Sequence, residues 1–190
     1  LASCLKLALL ATSRERLNIE EEHVVPVAGL LCPTAEPSLA EASHCDAVRL
    51  FVERGKSARL DFVLTQDNLA AVLHICRLVE GLPLGLELAA AWLRIMPPTE
   101  IAHEISQHLD FLTTHLRNVP KRHRSLQSAY ESSWTRLSSK EQTVLRRLSV
   151  FRGGFQREAA SAVAGATLPV LASLVDKSLL RVDTSGRYDQ

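Results

Sequence analysis

Gly81-Leu82-Pro83-Leu84-Gly85-Leu86-Glu87-Leu88-Ala89-Ala90-Ala91-Trp92-Leu93 decides how the rest of the chain is read. Pro83 has φ preset for a first helical turn and lacks the N–H that this turn leaves unpaired. Gly81 permits a tight reversal at the end of a preceding helix. From Pro83 through Arg94 the only charges are Glu87 and Arg94. A helix that is apolar nearly all round is a buried one. The alanines at 89, 90 and 91 let another backbone approach closely. The plainest reading is a turn between two core helices, and the flanking sequence decides whether it is more than that.

Composition sets the class. The 190 residues are 46% hydrophobic but only 5% aromatic, with one methionine, so the expected core is Leu, Val and Ala, as in helical proteins. Leu1 stands where Met would be expected and Gln190 falls in mid-pattern, which points to a piece of a longer chain. The net charge of +1 hides an asymmetry. Residues 1–114 carry 9 Lys and Arg against 15 Asp and Glu, whereas residues 115–190 carry 13 against 6. The sign changes at Arg117-Asn118-Val119-Pro120-Lys121-Arg122-His123-Arg124, which has no apolar periodicity and marks a domain boundary.

Cys4, Cys32, Cys45 and Cys76 form no C-x-x-C pair and read as reduced thiols of a cytoplasmic protein. His74 and Cys76 are two apart on a helix and face different ways, so no metal site is expected. The apolar run Leu5–Ala11 is too short to span a bilayer and contains Lys6, so no membrane segment is expected.

In chain order, Leu7-Ala8-Leu9-Leu10-Ala11 followed by Thr12-Ser13-Arg14-Glu15 reads as a buried parallel strand with polar residues at its C-terminal edge, where ligands of open α/β sheets sit. His23–Val27 reads as a second extended piece and residues 31–43 as a loop. Cys45–Arg54 reads as a helix stopped by Gly55. Thr65 caps the next helix, in which Leu69, Val72, Leu73, Cys76 and Val79 share a face. Pro97-Pro98 ends the buried helix, and Thr99–His108 forms another. Beyond the boundary, Leu126, Ala129, Tyr130, Trp134 and Leu137 share a helical face. Ser138-Ser139-Lys140-Glu141 is a capping box, and Gly165 ends a short helix. Thr167 caps the last helix, and residues 178–189 read as a β-hairpin.

Taken together these residues resemble the NB-ARC type of STAND ATPases (signal-transduction ATPases with numerous domains). LALLATSRERL (7–17) is similar to their sensor-1 strand. DAVRLFVERG (46–55) with ICRLVEGLPLGLELAAAWLR (75–94) is similar to their helical lid with its GLPL motif. LSSKEQTVLRRLSVFRGGF (137–155) and LPVLASLVDKSLLRVD (168–183) resemble the winged-helix domain of bacterial members, which are often described as predicted ATPases or as LuxR-type or activator-type transcriptional regulators. Gly85 departs from the pattern, since members place alanine or a larger aliphatic residue there.

The resemblance implies a mainly α fold in three parts. Residues 1–32 would be the C-terminal strands of a P-loop α/β domain. Residues 33–116 would be a helical lid, and residues 117–190 a winged-helix domain ending in a β-hairpin. It implies a regulatory switch that closes over ATP or ADP and controls oligomerisation, in signalling or transcriptional regulation. Arg14 would sense the γ-phosphate and Thr12 would support that strand end, while Pro83 and the backbone around Leu82 would meet the adenine, with no catalytic residue in this chain. Mg²⁺ would be held by an upstream P-loop region, because no G-x-x-x-x-G-K-[ST] occurs here and no strand ends in paired acids. The parent would be an ATPase inactive in this piece. Its partners would be that region, further copies, or sensor and effector domains.

The alternative is a winged-helix DNA-binding module of a transcriptional regulator, suggested by the basic C-terminal part. Against base reading, Leu168–Asp176 offers no Arg, Lys, Asn or Gln to reach base edges.

Overall fold

The computed structural model describes residues 9–33, 36–113, 125–183 and 188–189. The chain divides into two compact units, one of residues 26–132 and one of residues 1–25 with 133–190.

The unit of residues 26–132 is helical. Its elements are α1 (Leu39–Ser43), α2 (Asp46–Ala58), α3 (Gln66–Leu78), α4 (Pro83–Ala91), α5 (Pro98–Gln107) and most of α6 (Leu126–Trp134). α2 packs chiefly on α4, and α3 on α5. Their apolar stripes converge on Phe51, Phe62, Ile75, Leu86, Leu93, Ile101 and Leu112, all essentially out of water. Each fully buried side chain of this size contributes about 1.5–3 kcal/mol. Helix starts are marked by chemistry already in the sequence. Thr65 N–H donates to Asn68 Oδ1 at 3.0 Å to open α3, and Ser38 with Glu41 forms a capping box that opens α1. Residues 39–43 are therefore helical where the sequence reading has a loop. Gly55 does not stop α2 either; it lies inside the helix and is buried.

The other unit holds α7 (Ser139–Leu148), α8 (Arg157–Ala164) and α9 (Leu168–Asp176). Leu148, Ala160, Leu171, Leu174 and Leu180 form its core, with Phe155 stacked on Tyr188 at 5.8 Å. Gly165 ends α8 at φ 64°, a left-handed cap that suits glycine. β1 (Arg181–Val182) and β2 (Tyr188–Asp189) pair antiparallel, Arg181 opposite Asp189.

The expected P-loop strands are corrected by this fold. Leu9, Leu10 and Ala11 are irregular, and Leu10 is 99% exposed, so the run lacks the burial and pairing of a central strand. Leu7 and Ala8 lie outside the described residues. His23–Val27 is likewise irregular and exposed. Among the described residues the expected β-hairpin is reduced to a two-residue ladder, and residues 184–186 of its expected turn at 183–186 lie outside them. The described residues are mainly α-helical and contain no P-loop α/β strands. The charge boundary at 117–124 also falls outside the described residues. Among the described residues no single helix is long and apolar enough to cross a membrane.

Candidate functional site

The corner at residues 79–85 is built on close backbone approach. Gly81 adopts φ 65°, and its carbonyl accepts the Leu30 N–H at 2.8 Å. A Cβ on Gly81 would sit 2.0 Å from the Leu30 carbonyl oxygen, and one on Gly29 would sit 2.4 Å from the Glu80 oxygen. Leu82 is the extended N-cap of α4 and Pro83 its first residue; both are exposed. Gly85 lets α4 lie against Val79, whose Cβ would be 2.8 Å from an added methyl group. The departure at Gly85 is thus the site of a close contact. Glu87 pairs at 3.0 Å with Arg54 of α2.

Thr12 and Arg14 belong to the other unit. Arg14 Nη1 donates to Ser133 Oγ at 2.9 Å, and its carbonyl accepts from Ser178 Oγ at 2.7 Å. Arg16 N–H donates to the Asp176 carbonyl at 3.1 Å, while its side chain meets the Asp176 carboxylate at 3.5 Å. Glu15 faces Arg136 at 3.5 Å. The stretch after the apolar run therefore forms a strap on α9 and the start of the C-terminal helices. Thr12 is exposed and irregular. The four residues named from sequence divide into two pairs, one in each compact unit.

Sequence reasoning missed a polar cluster under α7 and α9. Glu141, the N3 residue of α7, is almost fully buried. It accepts from the Ser138 N–H at 2.6 Å, from Ser138 Oγ at 2.7 Å, from Ser173 Oγ, and from Lys177 Nζ at 2.7 Å. Burial alone would raise its carboxyl, but the donors from Lys177, Ser173 and Ser138 outweigh it and hold the group at about 2. The S-x-x-E pattern signalled the capping box; the contributions of Ser173 and Lys177, 32 and 36 residues away, left no local signal. With every oxygen engaged, this carboxylate joins two helices rather than meeting substrate.

α9 turns Val170, Leu171 and Leu174 into the core, and the one lysine at its end is held by Glu141. A shallow cleft at its N-terminal end is lined by Arg157, Glu158, Ser161, Thr167 and Leu168, but Arg157 faces Glu158 at 3.5 Å. Among the described residues, no group of three or more His, Cys, Asp or Glu side chains could hold a metal ion.

No protein-family model matches the chain. No solved structure matches it. Curated relatives do. Proteins of Mycobacterium bovis and Mycobacterium tuberculosis, provisionally named HTH-type transcriptional regulators, are 35% identical over 190 residues, covering 96% of this chain and 20% of their own length. Uncharacterized proteins of the same two organisms are 32% identical over 193 residues, covering 97% of this chain and 46% of their own length.

These findings overturn the STAND NB-ARC assignment and what followed from it. The relatives are named as regulators and not as ATPases. The described residues supply no sensor strand, phosphate loop or metal cluster for an ATP or ADP switch with Mg²⁺. Neither an ATPase parent nor a nucleotide cofactor is supported. The transcriptional-regulator alternative fits better. The chain spans about a fifth of the length of the regulators it matches, and just under half that of the uncharacterized relatives.

Proposed function

We propose that this chain is an accessory regulatory module carried within a larger cytoplasmic transcriptional regulator. The observation that carries the reading is the similarity, along almost the whole chain, to one part of much longer proteins named as regulators. Its own geometry favours packing over base reading. The apolar face of α9 is spent on the core, and Lys177, the cation at its end, is spent on Glu141. Base edges are read by side chains such as Arg, Lys, Asn and Gln. The exposed Arg146, Arg147 and Arg152 offer charge for phosphates or for an acidic partner domain. The domain divisions at 32/33 and 116/117 belong to this proposal.

Selection from a pooled random duplex library at physiological salt tests the accessory role. No enriched motif is expected, only binding that weakens steeply as salt rises. An enriched motif would make the chain a base reader. Replacing residues 26–190 with a flexible linker in the chromosomal gene tests the regulatory role. Transcripts should change at unaltered protein level, and an unchanged transcriptome would overturn the proposal.

A further inference from the structure

Three thiols from three separate segments gather in the unit of residues 26–132. Cys32 follows the Gly29–Leu31 stretch, Cys45 is the N-cap of α2, and Cys76 lies on the buried face of α3. All three are free; Cys32 and Cys45 are half-buried and Cys76 is buried. Cys45 Sγ donates to the Leu31 carbonyl at 2.8 Å, so it rests against the peptide group that leads into Cys32. Cys32 Sγ lies 3.9 Å from the Leu73 carbonyl, close to one helical turn before Cys76. Cys32 shares a side-chain hydrogen bond with Cys76 and interacts electrostatically with Cys45.

The backbone around Cys32 is held on both sides. Leu30 N–H donates to the Gly81 carbonyl at 2.8 Å, and Arg77 Nε donates to the Pro33 carbonyl at 3.0 Å. The sulfur therefore sits where the fold puts it, beside α2 and α3.

We infer that Cys32 and Cys45 form a thiol-modification site, at which a peroxide closes a reversible disulfide that ties the stretch before α1 to the start of α2. The reaction balances in two steps. The Cys45 thiolate attacks hydrogen peroxide, an S–O bond forms as O–O breaks, and hydroxide leaves behind a sulfenic acid. The Cys32 thiolate then attacks that sulfur, forming S–S and releasing a second hydroxide. The two thiol protons convert these to water, so two thiols and one peroxide give one disulfide and two waters.

Cys76, although hydrogen-bonded to Cys32, is the bystander. Burial pushes its thiol far above the ordinary thiol range, so it stays protonated and inert. Burial also raises Cys32, the nearby Cys45 adds to this, and the Arg77 guanidinium opposes it. Closure should therefore quicken as pH rises. The disulfide would close a loop containing α1, a constraint that stabilises chiefly by limiting the unfolded chain.

Peptide mapping of the whole chain decides the matter, in a Cys4→Ser background because Cys4 lies outside the described residues. Hydrogen peroxide is added, remaining thiols are alkylated, and the digest is weighed. A Cys32–Cys45 linked pair, lost with dithiothreitol and formed faster at alkaline pH, is expected. It should persist in Cys76→Ser and vanish in Cys32→Ser and Cys45→Ser. A Cys32–Cys76 link, links only between chains, irreversible sulfonic acids, or both thiols still alkylated would overturn the inference. If a serine variant fails to fold, the map of the Cys4→Ser chain alone still decides. The outcome does not depend on the regulatory reading.

Discussion

Lys177 Nζ, just past the end of α9, lies 2.7 Å from Glu141 Oε1 in the first turn of α7, with the carboxylate side chain only 8% exposed. This pair and its serine donors hold the two helices in register. A buried charge that loses its partner is costly, so each residue of the pair depends on the other.

Glu141→Gln should destabilise the protein by about 2 kcal/mol at neutral pH, since hydrogen bonds to charged groups are worth roughly 1.5–3 kcal/mol. The folded carboxyl sits at about 2, below its ordinary 4.5. A depressed carboxyl contributes stability that is fully present above 4.5 and is lost as pH falls toward 2. Urea melts of both proteins should differ most at neutral pH and converge on acidification through that window. A difference that does not change with pH would mean the charge is not what stabilises the contact.

Gly81→Ala and Gly153→Ala separate backbone strain from crowding. Both glycines have positive φ, 65° and 90°, but the added methyl meets the Leu30 oxygen at 2.0 Å in one case and nothing within 4 Å in the other. Strain alone costs about 1–3 kcal/mol. Gly153→Ala should fall in that range. Gly81→Ala should cost clearly more, because the Leu30–Gly81 hydrogen bond must also give way. Equal losses in chemical denaturation would show that Leu30 moves aside freely.

The strap of residues 12–16 is tied by exposed contacts. Arg16 and Asp176 side chains are 50% and 40% exposed, and Arg136 and Glu15 are 65% and 39% exposed. Such pairs are worth about 0–1 kcal/mol each and are screened by salt. Trypsin should nick after Arg14 and Arg16 before it cuts the helices, and faster in high salt. Asp176→Ala should raise the low-salt rate and blunt the response to salt. A nicking rate indifferent to both would mean that the hydrogen bonds of Arg14 and Arg16, rather than the ion pairs, hold the strap.

Most helices were legible because apolar periodicity and start signals agree, as at Thr65, Pro83, Ser138 and Thr167. α1 was missed even though Ser38-Leu39-Ala40-Glu41 repeats the S-x-x-E pattern recognised at Ser138; its neighbouring prolines suggested a loop. Leu7–Ala11 misled because a continuous apolar run has no face and so cannot indicate which side is buried. The described part of it is buried on neither. The polar cluster at Glu141 depends on residues more than thirty positions apart, which no local pattern displays.

Gly55 sets two effects of opposite sign against each other. It lies in mid-helix, where alanine is favoured over glycine by about 1 kcal/mol. Yet its added methyl would come within 2.7 Å of Leu93 Cδ1 and 2.8 Å of Phe62 Cδ1. Neither neighbour has room, since both are 1% exposed and Phe62 meets Phe51 edge-on at 6.1 Å. Forcing an extra methyl into such a site costs about 1–3 kcal/mol, so Gly55→Ala should be net destabilising by about 1 kcal/mol. Removing Leu93 lifts one of the two obstructions. In a Leu93→Ala background only the Phe62 contact remains, and the cavity gives that ring room to shift, so Gly55→Ala should cost less there than in the unmutated protein. Urea melts of the four proteins in this cycle give the coupling directly. If Gly55→Ala has the same effect in both backgrounds, Leu93 is not what keeps residue 55 a glycine.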